Sequence, residues 1–94
     1  MDSYLIDYTS RAGRALRNIK TPGVPQKIIQ KIDALINDPL PNGVLKVVSM
    51  SCDFPSPDSA VYRIRHADYR IFYGVDHKNK IVQIIDIQHR SDAY

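Results

Sequence analysis

Arginine residues in the last third of the chain are the side chains best suited to chemistry. Arg63 and Arg65 lie two positions apart in Val61-Tyr62-Arg63-Ile64-Arg65-His66, a segment that alternates like a strand. Side chains two residues apart on a strand share a face and lie about 7 Å apart. Two guanidinium groups this close repel each other, and both could bind one phosphodiester backbone. The alternative is the solvated outer face of an antiparallel sheet.

The following strand is predicted to add a further arginine and an aromatic ring to that face. Arg70 and Phe72 have the same parity in Tyr69-Arg70-Ile71-Phe72-Tyr73, and a two-residue turn at Ala67-Asp68 would bring Arg70 beside the first two arginines. We expect Phe72 to be partly exposed there, with core packing as the alternative. Basic groups interleaved with rings suit single-stranded RNA, because charges hold phosphates and rings stack on bases.

Histidines are the candidates for proton transfer at such a site. His89 precedes a fourth arginine, Arg90, and an unperturbed histidine pKa of ~6.5 suits proton transfer near neutrality. His66 is a weaker candidate, because its strand parity places it opposite the arginines. Lys46 is predicted to reach the edge of the site and bind phosphate, and a solvated lysine is the alternative.

Two amphipathic helices are predicted to position these strands. A strand at residues 4–8 precedes the first helix, for which Thr9 or Ser10 could be the N-cap. Pro25 can open the second helix, and Asn37-Asp38-Pro39 ends it. The first helix has an apolar stripe at Ala12, Ala15, Leu16 and Ile19 and a basic face at Arg11, Arg14, Arg17 and Lys20. The second has an apolar stripe at Ile28, Ile29, Ile32, Leu35 and Ile36.

The second half of the chain reads as strands. Residues 44–48 are a possible strand, 51–59 a loop, and 60–66, 69–76 and 81–88 three strands of an antiparallel meander. We therefore predict an α+β fold with an N-terminal strand and an antiparallel helical hairpin, in which the hairpin packs on one face of a three- to four-stranded antiparallel sheet. The 94 residues, 1–94, are expected to form a single domain.

Composition limits the classes of function. The chain has 13 Lys and Arg against 10 Asp and Glu, a formal net charge of +3, which is compatible with a nucleic-acid partner. Cys52 is the only cysteine, so an internal disulfide is excluded, and a reducing compartment is favoured. No segment approaches the ~18 apolar residues of a membrane span, and the N-terminus lacks a signal-peptide pattern. We expect a cytoplasmic protein without a membrane partner.

Three motifs in the second half resemble RelE toxins of bacterial toxin–antitoxin systems. They are Tyr62-Arg63-Ile64-Arg65, then Asp68-Tyr69-Arg70-Ile71-Phe72-Tyr73, then His89-Arg90 followed by Asp92-Ala93-Tyr94. The family pattern is a tyrosine–basic–apolar–basic strand, a Gly-Asp-Tyr-Arg hairpin and a His-Arg…Val-Tyr ending. The motif match covers about a third of the chain, and the first half is similar only in layout.

The resemblance implies a function as well as a RelE-like fold. RelE toxins cut messenger RNA in the ribosomal A site through attack of a 2′-hydroxyl on the neighbouring phosphate, without a metal or other cofactor. The family's catalytic and RNA-binding positions correspond here to Arg63, Arg65, Arg70, Arg90 and Tyr94. The implied partners are a cognate antitoxin, the ribosome with its messenger, and operator DNA bound by the toxin–antitoxin complex.

Two alternatives remain open from the sequence. The same superfamily contains ParE-type toxins, which inhibit DNA gyrase and do not cut RNA. A catalytically degenerate toxin that only binds its antitoxin is the other alternative, because arginine occupies both basic positions of the first motif and, since it stays protonated, is a poor general base. The basic cluster together with the terminal tyrosine favours RNA cleavage.

Overall fold

The first half of the described chain forms a strand and two helices, and the second half forms four strands. A computed structural model describes residues 3–91. The helices are α1 (Ser10–Arg17) and α2 (Val24–Asp33), and a short 3-10 turn (Ala34–Ile36) continues α2. The strands are β1 (Leu5–Tyr8), β2 (Leu45–Cys52), β3 (Ser59–His66), β4 (Tyr69–Asp76) and β5 (Ile81–His89).

Local signals set the ends of the helices. The Thr9 hydroxyl accepts a hydrogen bond from the Ala12 backbone N–H (3.1 Å) and donates one to the Ile85 carbonyl (2.7 Å), so one side chain caps α1 and ties it to β5. Before α2, Gly23 has φ of 83°, a conformation that glycine adopts without steric cost, and Pro25 lies in the first turn. The predicted helix starts at Thr9 and Pro25 are thus confirmed.

The five strands form one sheet in the order β1-β5-β4-β3-β2. Strands β2 to β5 pair antiparallel, and β1 pairs parallel with β5, with Leu5 opposite Ile81 and Tyr8 opposite Ile84. The predicted α+β class is confirmed. The sheet has one strand more than the three to four expected, because β1 joins its edge. Strand β2 also extends to Cys52, into the segment predicted as a loop.

The main core lies between the helices and one face of the sheet. Ala12 of α1, and Ile28 and Ile32 of α2, are fully buried against sheet residues such as Ile71 and Ile84. Burying each such isoleucine contributes roughly 1.5–3 kcal/mol. The core therefore follows the apolar stripes that the sequence predicts on both helices.

Tyr73 carries a polar hydroxyl and is completely buried in this core. Its hydroxyl donates a 2.7 Å hydrogen bond to the Pro39 carbonyl, which satisfies the buried group. Burial raises the pKa of Tyr73 well above the ordinary value for tyrosine, with smaller contributions from Tyr62 and Asp38. This bond fixes the segment after α2 to the centre of β4.

A second, smaller buried region lies on the opposite face of the sheet. Val61 and Phe72, which belong to the face without helices, are 1% and 6% exposed. The segment after β2 covers them: a Cβ placed on Gly74 would lie 3.0 Å from the Phe54 carbonyl oxygen and 3.3 Å from Cys52 Sγ. Glycine at position 74 thus allows the segment to approach β4. Only the remaining part of this face is open for a ligand.

Candidate functional site

The arginines of β3 and β4 lie together on the sheet face that the helices do not cover. In the β3–β4 register, Arg63 is opposite Phe72 and Arg65 is opposite Arg70. Residues directly opposite on antiparallel strands share a face, with Cβ atoms about 5 Å apart. The prediction that Arg70 joins the face of Arg63 and Arg65 is therefore confirmed. Like charges in directly opposite positions destabilise a sheet unless something compensates for them.

A small cavity at the β3–β4 turn is lined by three of the four arginines predicted for the site. It is lined by Arg65, Ala67, Asp68, Arg70 and Arg90 and has a volume of about 150 Å³. Arg65 and Arg90 are exposed, whereas Arg70 is half-buried. Arg63 does not line this cavity but lies two positions along β3 on the same face. We call this feature the arginine cavity.

Arg90 reaches the arginine cavity because the chain after β5 is attached to the β3–β4 turn. Its backbone N–H donates a 2.7 Å hydrogen bond to the Asp68 carbonyl oxygen. Its guanidinium Nη1 lies 3.7 Å from the Asp68 carboxylate, and the two side chains are 67% and 58% exposed. An ion pair this exposed contributes little to stability. The backbone bond therefore sets the position of Arg90, and Asp68 places a carboxylate among the guanidiniums.

The turn that carries Asp68 is tight. Ala67 has φ of 52°, in the left-handed region that favours glycine. Alanine in this conformation costs roughly 1–2 kcal/mol more than glycine would. The strained residue lies in the turn that places Arg65 and Arg70 opposite each other.

Polar residues of β5 complete this face. Gln88 is opposite Arg70, and Asp86 is opposite Phe72. The Asp86 carboxylate accepts hydrogen bonds from Gln88 Nε2 (2.8 Å) and the Ile87 backbone N–H (2.9 Å). The arrangement suits an anion held near Arg65, Arg70 and Arg90, because converging guanidiniums offer forked donors of the kind that bind phosphate. Asp68, Asp86 and Gln88 were not among the residues predicted for the site. Their position in the sequence, on a turn or strand next to the arginines, was the feature that could have indicated them.

His89 does not lie with the arginines. It is opposite Tyr69 in the β4–β5 register, on the helix-covered face, and its ring makes an edge-on contact with Tyr69 at 5.0 Å between centroids. Its Nδ1 accepts from the Ser91 backbone N–H (3.2 Å) and lies 2.8 Å from the Ser91 hydroxyl. Because neighbouring residues of a strand point to opposite faces, Gln88 is on the arginine face and His89 is not. His66, opposite Tyr69 on β3, is also on the helix side, as expected.

Two further site predictions are corrected by the structure. Phe72 lies on the arginine face but is only 6% exposed, because the segment around Phe54 covers that part of the sheet, so its ring is not available to stack on a base. Lys46 is opposite Tyr62, whose register places it on the helix side, so it does not join the arginines. Tyr94 lies outside the described residues, and its predicted role stays a prediction.

Residues 3–91 show neither a metal-binding cluster nor a membrane-spanning helix. No group of three His, Cys, Asp or Glu side chains lies close enough together to hold a metal ion. Over the same residues, no helix has the length and apolar character needed to cross a membrane.

Comparison with solved structures shows which known proteins have a similar fold. Several solved structures share it: the archaeal RelE of a RelE–RelB complex from Pyrococcus horikoshii OT3 (24% identity, 94% of this chain and 96% of that chain, TM-score 0.74) and the RelBE2 toxin–antitoxin complex from Mycobacterium tuberculosis (22%, 98% and 97%, TM-score 0.74). The isolated E. coli RelE toxin is similar at 20% identity, with 93% of this chain and 84% of that chain covered and a TM-score of 0.66. No curated protein matches the sequence.

A sequence model of one protein family matches almost the whole chain. That family is described as the ParE toxin of the type II toxin-antitoxin system, parDE, and the match covers residues 6–94. The chain therefore belongs to the ParE toxin family of type II toxin–antitoxin systems, within the RelE/ParE toxin superfamily.

Proposed function

We propose that this toxin is a ribosome-dependent endoribonuclease that cuts messenger RNA in the A site. The observation that carries the proposal is the arginine cavity, where Arg65, Arg70 and Arg90 line about 150 Å³ together with a single carboxylate, that of Asp68. Guanidiniums placed in this way can hold a phosphodiester and stabilise the negative charge that builds up on it during cleavage. Arg63, on the same face, would bind the neighbouring phosphate.

The proposed reaction needs no added cofactor. The messenger's 2′-oxygen attacks the adjacent phosphorus, the bond from phosphorus to the 5′-oxygen breaks, and the products are a 2′,3′-cyclic phosphate and a 5′-hydroxyl. The 2′-hydroxyl loses a proton, and the leaving 5′-oxygen takes one from water. Among the residues that line the cavity, Asp68 has the chemistry to accept the first proton, because arginine stays protonated. Tyr94 remains a proposed base-stacking residue.

The proposed partners are those of a type II toxin. The RelE proteins of the P. horikoshii and M. tuberculosis structures are bound to their antitoxins. Large apolar side chains on the surface of this chain, among them Val48 (91% exposed), Leu5 (71%) and Leu45 (52%), support a protein partner that covers β1 and β2. We propose that an antitoxin binds there, that the complex binds operator DNA, and that the free toxin acts on cytoplasmic ribosomes.

The second candidate function is inhibition of DNA gyrase. It is favoured by the ParE description of the matching family and by the position of His89, which leaves the arginine face without a histidine. The two functions use the same fold, so assays of the purified protein must separate them. A toxin without catalysis, which only binds its antitoxin, is the third possibility.

Induction in a bacterium, combined with a purified assay, tests the proposal. We expect growth arrest with new messenger 5′ ends at fixed positions within codons, and normal supercoiling by purified gyrase in the presence of the protein. Inhibited supercoiling without new messenger ends would assign the ParE-type activity. Antitoxin binding with neither effect would assign the non-catalytic role. Either result overturns the proposal.

A further inference from the structure

Helix α1 carries a dense positive charge that the arginine cavity does not use. Its sequence, Ser10-Arg11-Ala12-Gly13-Arg14-Ala15-Leu16-Arg17, contains three arginines and no acidic residue. All three arginines are exposed, and within residues 3–91 none of them makes an ion pair. Residues three apart are neighbours on a helix surface, so Arg14 repels both Arg11 and Arg17 by a few tenths of a kcal/mol each. The face formed by Arg11, Arg14 and Arg17 is called the α1 basic face below.

The shape of the α1 basic face favours an extended anion. Arg14 and Arg17 line a shallow hollow of about 340 Å³ together with Tyr8, Thr9 and Ser10. Arg17 Nη1 lies 3.4 Å from the position of a Cβ on Gly13, so its guanidinium rests against the helix surface. The absence of a side chain at Gly13 makes room for this arrangement. The three arginines span about 9 Å along the helix axis, which is enough to contact more than one phosphate.

The α1 basic face continues towards the arginine cavity around the end of β5. Lys20, just after α1, lines a hollow of about 280 Å³ with Tyr69 and His89. His89 directly precedes Arg90, and Tyr69 lies between Asp68 and Arg70, so this hollow adjoins residues of the arginine cavity. Lys20 and Arg90 therefore lie at the same end of the sheet, and Arg17 and Arg14 precede Lys20 at intervals of three residues, which defines a path of positive groups. A strand of RNA leaving the cavity would meet this path.

We infer that the α1 basic face binds the phosphate backbone of the same single-stranded RNA that occupies the arginine cavity, several nucleotides from the cleavage point. The inference rests on the proposed function for the identity of the strand. An acidic protein segment is the competing occupant. RNA is favoured because Lys20 brings the basic groups of α1 to the end of the sheet that carries Arg90, so one extended chain of phosphates could contact both sets of charges.

Binding of two RNA lengths tests the inference. The probes are fully 2′-O-methylated oligonucleotides of 4 and 16 nucleotides, which cannot undergo 2′-hydroxyl attack, and affinity is measured by fluorescence anisotropy over a range of salt concentrations. The variant combines Arg14→Gln and Arg17→Gln. The control combines Lys27→Gln on α2 with Lys78→Gln in the β4–β5 turn, two exposed lysines outside the path, and removes the same charge.

The inference predicts a loss that depends on RNA length. The arginine variant should bind the 16-mer on the order of tenfold more weakly at low salt, with the slope of log affinity against log salt reduced by about 1.4. Its affinity for the 4-mer should stay unchanged, and its melting temperature should not fall, because the repulsion between the arginines of α1 is relieved. Unchanged affinity for the 16-mer, or an equal loss in the lysine control, overturns the inference. The inference is also overturned if the arginine variant keeps its affinity for RNA but no longer binds poly-glutamate. That result would assign the face to an acidic protein.

The outcome is separable from that of the proposed function. If the wild-type protein cuts messenger on ribosomes but the arginine variant binds the 16-mer as tightly as wild type, only the inference about α1 is overturned. If the arginine variant loses 16-mer binding but the wild-type protein cuts no messenger, only the nuclease proposal is overturned.

Discussion

Arg65 and Arg70 lie directly opposite each other across the β3–β4 hairpin, and both line the arginine cavity. Two guanidiniums in opposite positions cost the folded sheet some stability. The turn between them adds strain at Ala67. The repulsion between the two arginines and the strained turn both destabilise the same part of the sheet. Their occurrence together is consistent with a site that binds a phosphate.

Arg65 is expected to matter for cleavage and not for folding. Arg65→Gln should lower messenger cleavage about 100-fold, because one donor to the developing charge is lost. The same change should raise the free energy of unfolding by a few tenths of a kcal/mol, because the repulsion with Arg70 is removed. Urea titration and cleavage on ribosomes measure the two effects. Lys27→Gln, which removes one exposed charge from α2, should alter neither, and loss of both activity and stability in R65Q would indicate a structural role.

Asp68 is expected to act chemically and not as a structural ion pair. Asp68→Asn keeps the size of the side chain and the backbone bond to Arg90 but removes the carboxylate, so cleavage should fall about 100-fold or more. Stability should change by less than about 0.5 kcal/mol, because both members of the pair are more than half exposed. Asp53→Asn, at an exposed loop position, is the control. Normal cleavage by D68N would exclude Asp68 as the proton acceptor.

Ala67 offers a gain in stability. Ala67→Gly relieves the cost of a left-handed backbone, about 1–2 kcal/mol, against a larger entropy loss on folding, so we expect a net gain of about 0.5 kcal/mol. That corresponds to a rise in Tm of about 2–4 °C for a domain of this size. Ala34→Gly is the matched control, because Ala34 has φ of −61° and is exposed, and its change should lower Tm. A fall in Tm for A67G would contradict the assigned turn geometry.

Asp76 is expected to make stability depend on pH in the acid range. Hydrogen bonds from the Asn79 backbone and side chain, and from the Lys78 backbone, hold the pKa of Asp76 below its ordinary value. A lowered folded-state pKa gives stability that is present above the unfolded pKa and is lost as pH falls through the folded one. Asp76→Asn should therefore lower the urea midpoint at pH 7, and the difference from wild type should shrink towards pH 3. A difference independent of pH would contradict this linkage.

The sequence predicts those features that depend on neighbours along the chain. The N-cap at Thr9, the opening of α2 by Pro25 and the shared face of Arg63, Arg65 and Arg70 all follow from local spacing, and the structure confirms them. The pairing of β1 with β5 joins segments about 75 residues apart, as the hydrogen bond from Thr9 to Ile85 does, and local patterns do not encode it.

The corrections for His89 and Phe72 have different causes. His89 is on the helix side because the register between β4 and β5 shifts at Phe72/Tyr73. The buried residues of β5 show this shift, since Val82 and Ile84 are two positions apart and Ile87 follows three positions later. The sequence does not reveal it, because Ile81 and Ile85 are equally apolar. Phe72 is buried by the distant segment around Phe54, which no spacing within β4 indicates.

Cleavage of a messenger with one altered sugar tests the central claim most directly. Purified toxin is added to ribosomes that hold a synthetic messenger, either all-ribose or with a single 2′-deoxy nucleotide on the 5′ side of the expected cut. The account predicts a cut in the A-site codon of the all-ribose messenger, with a 2′,3′-cyclic phosphate end, no cut at the deoxy position, and no cut by the Arg65→Ala, Arg90→Ala variant. Equal cleavage of both messengers, or full activity of that variant, would contradict it.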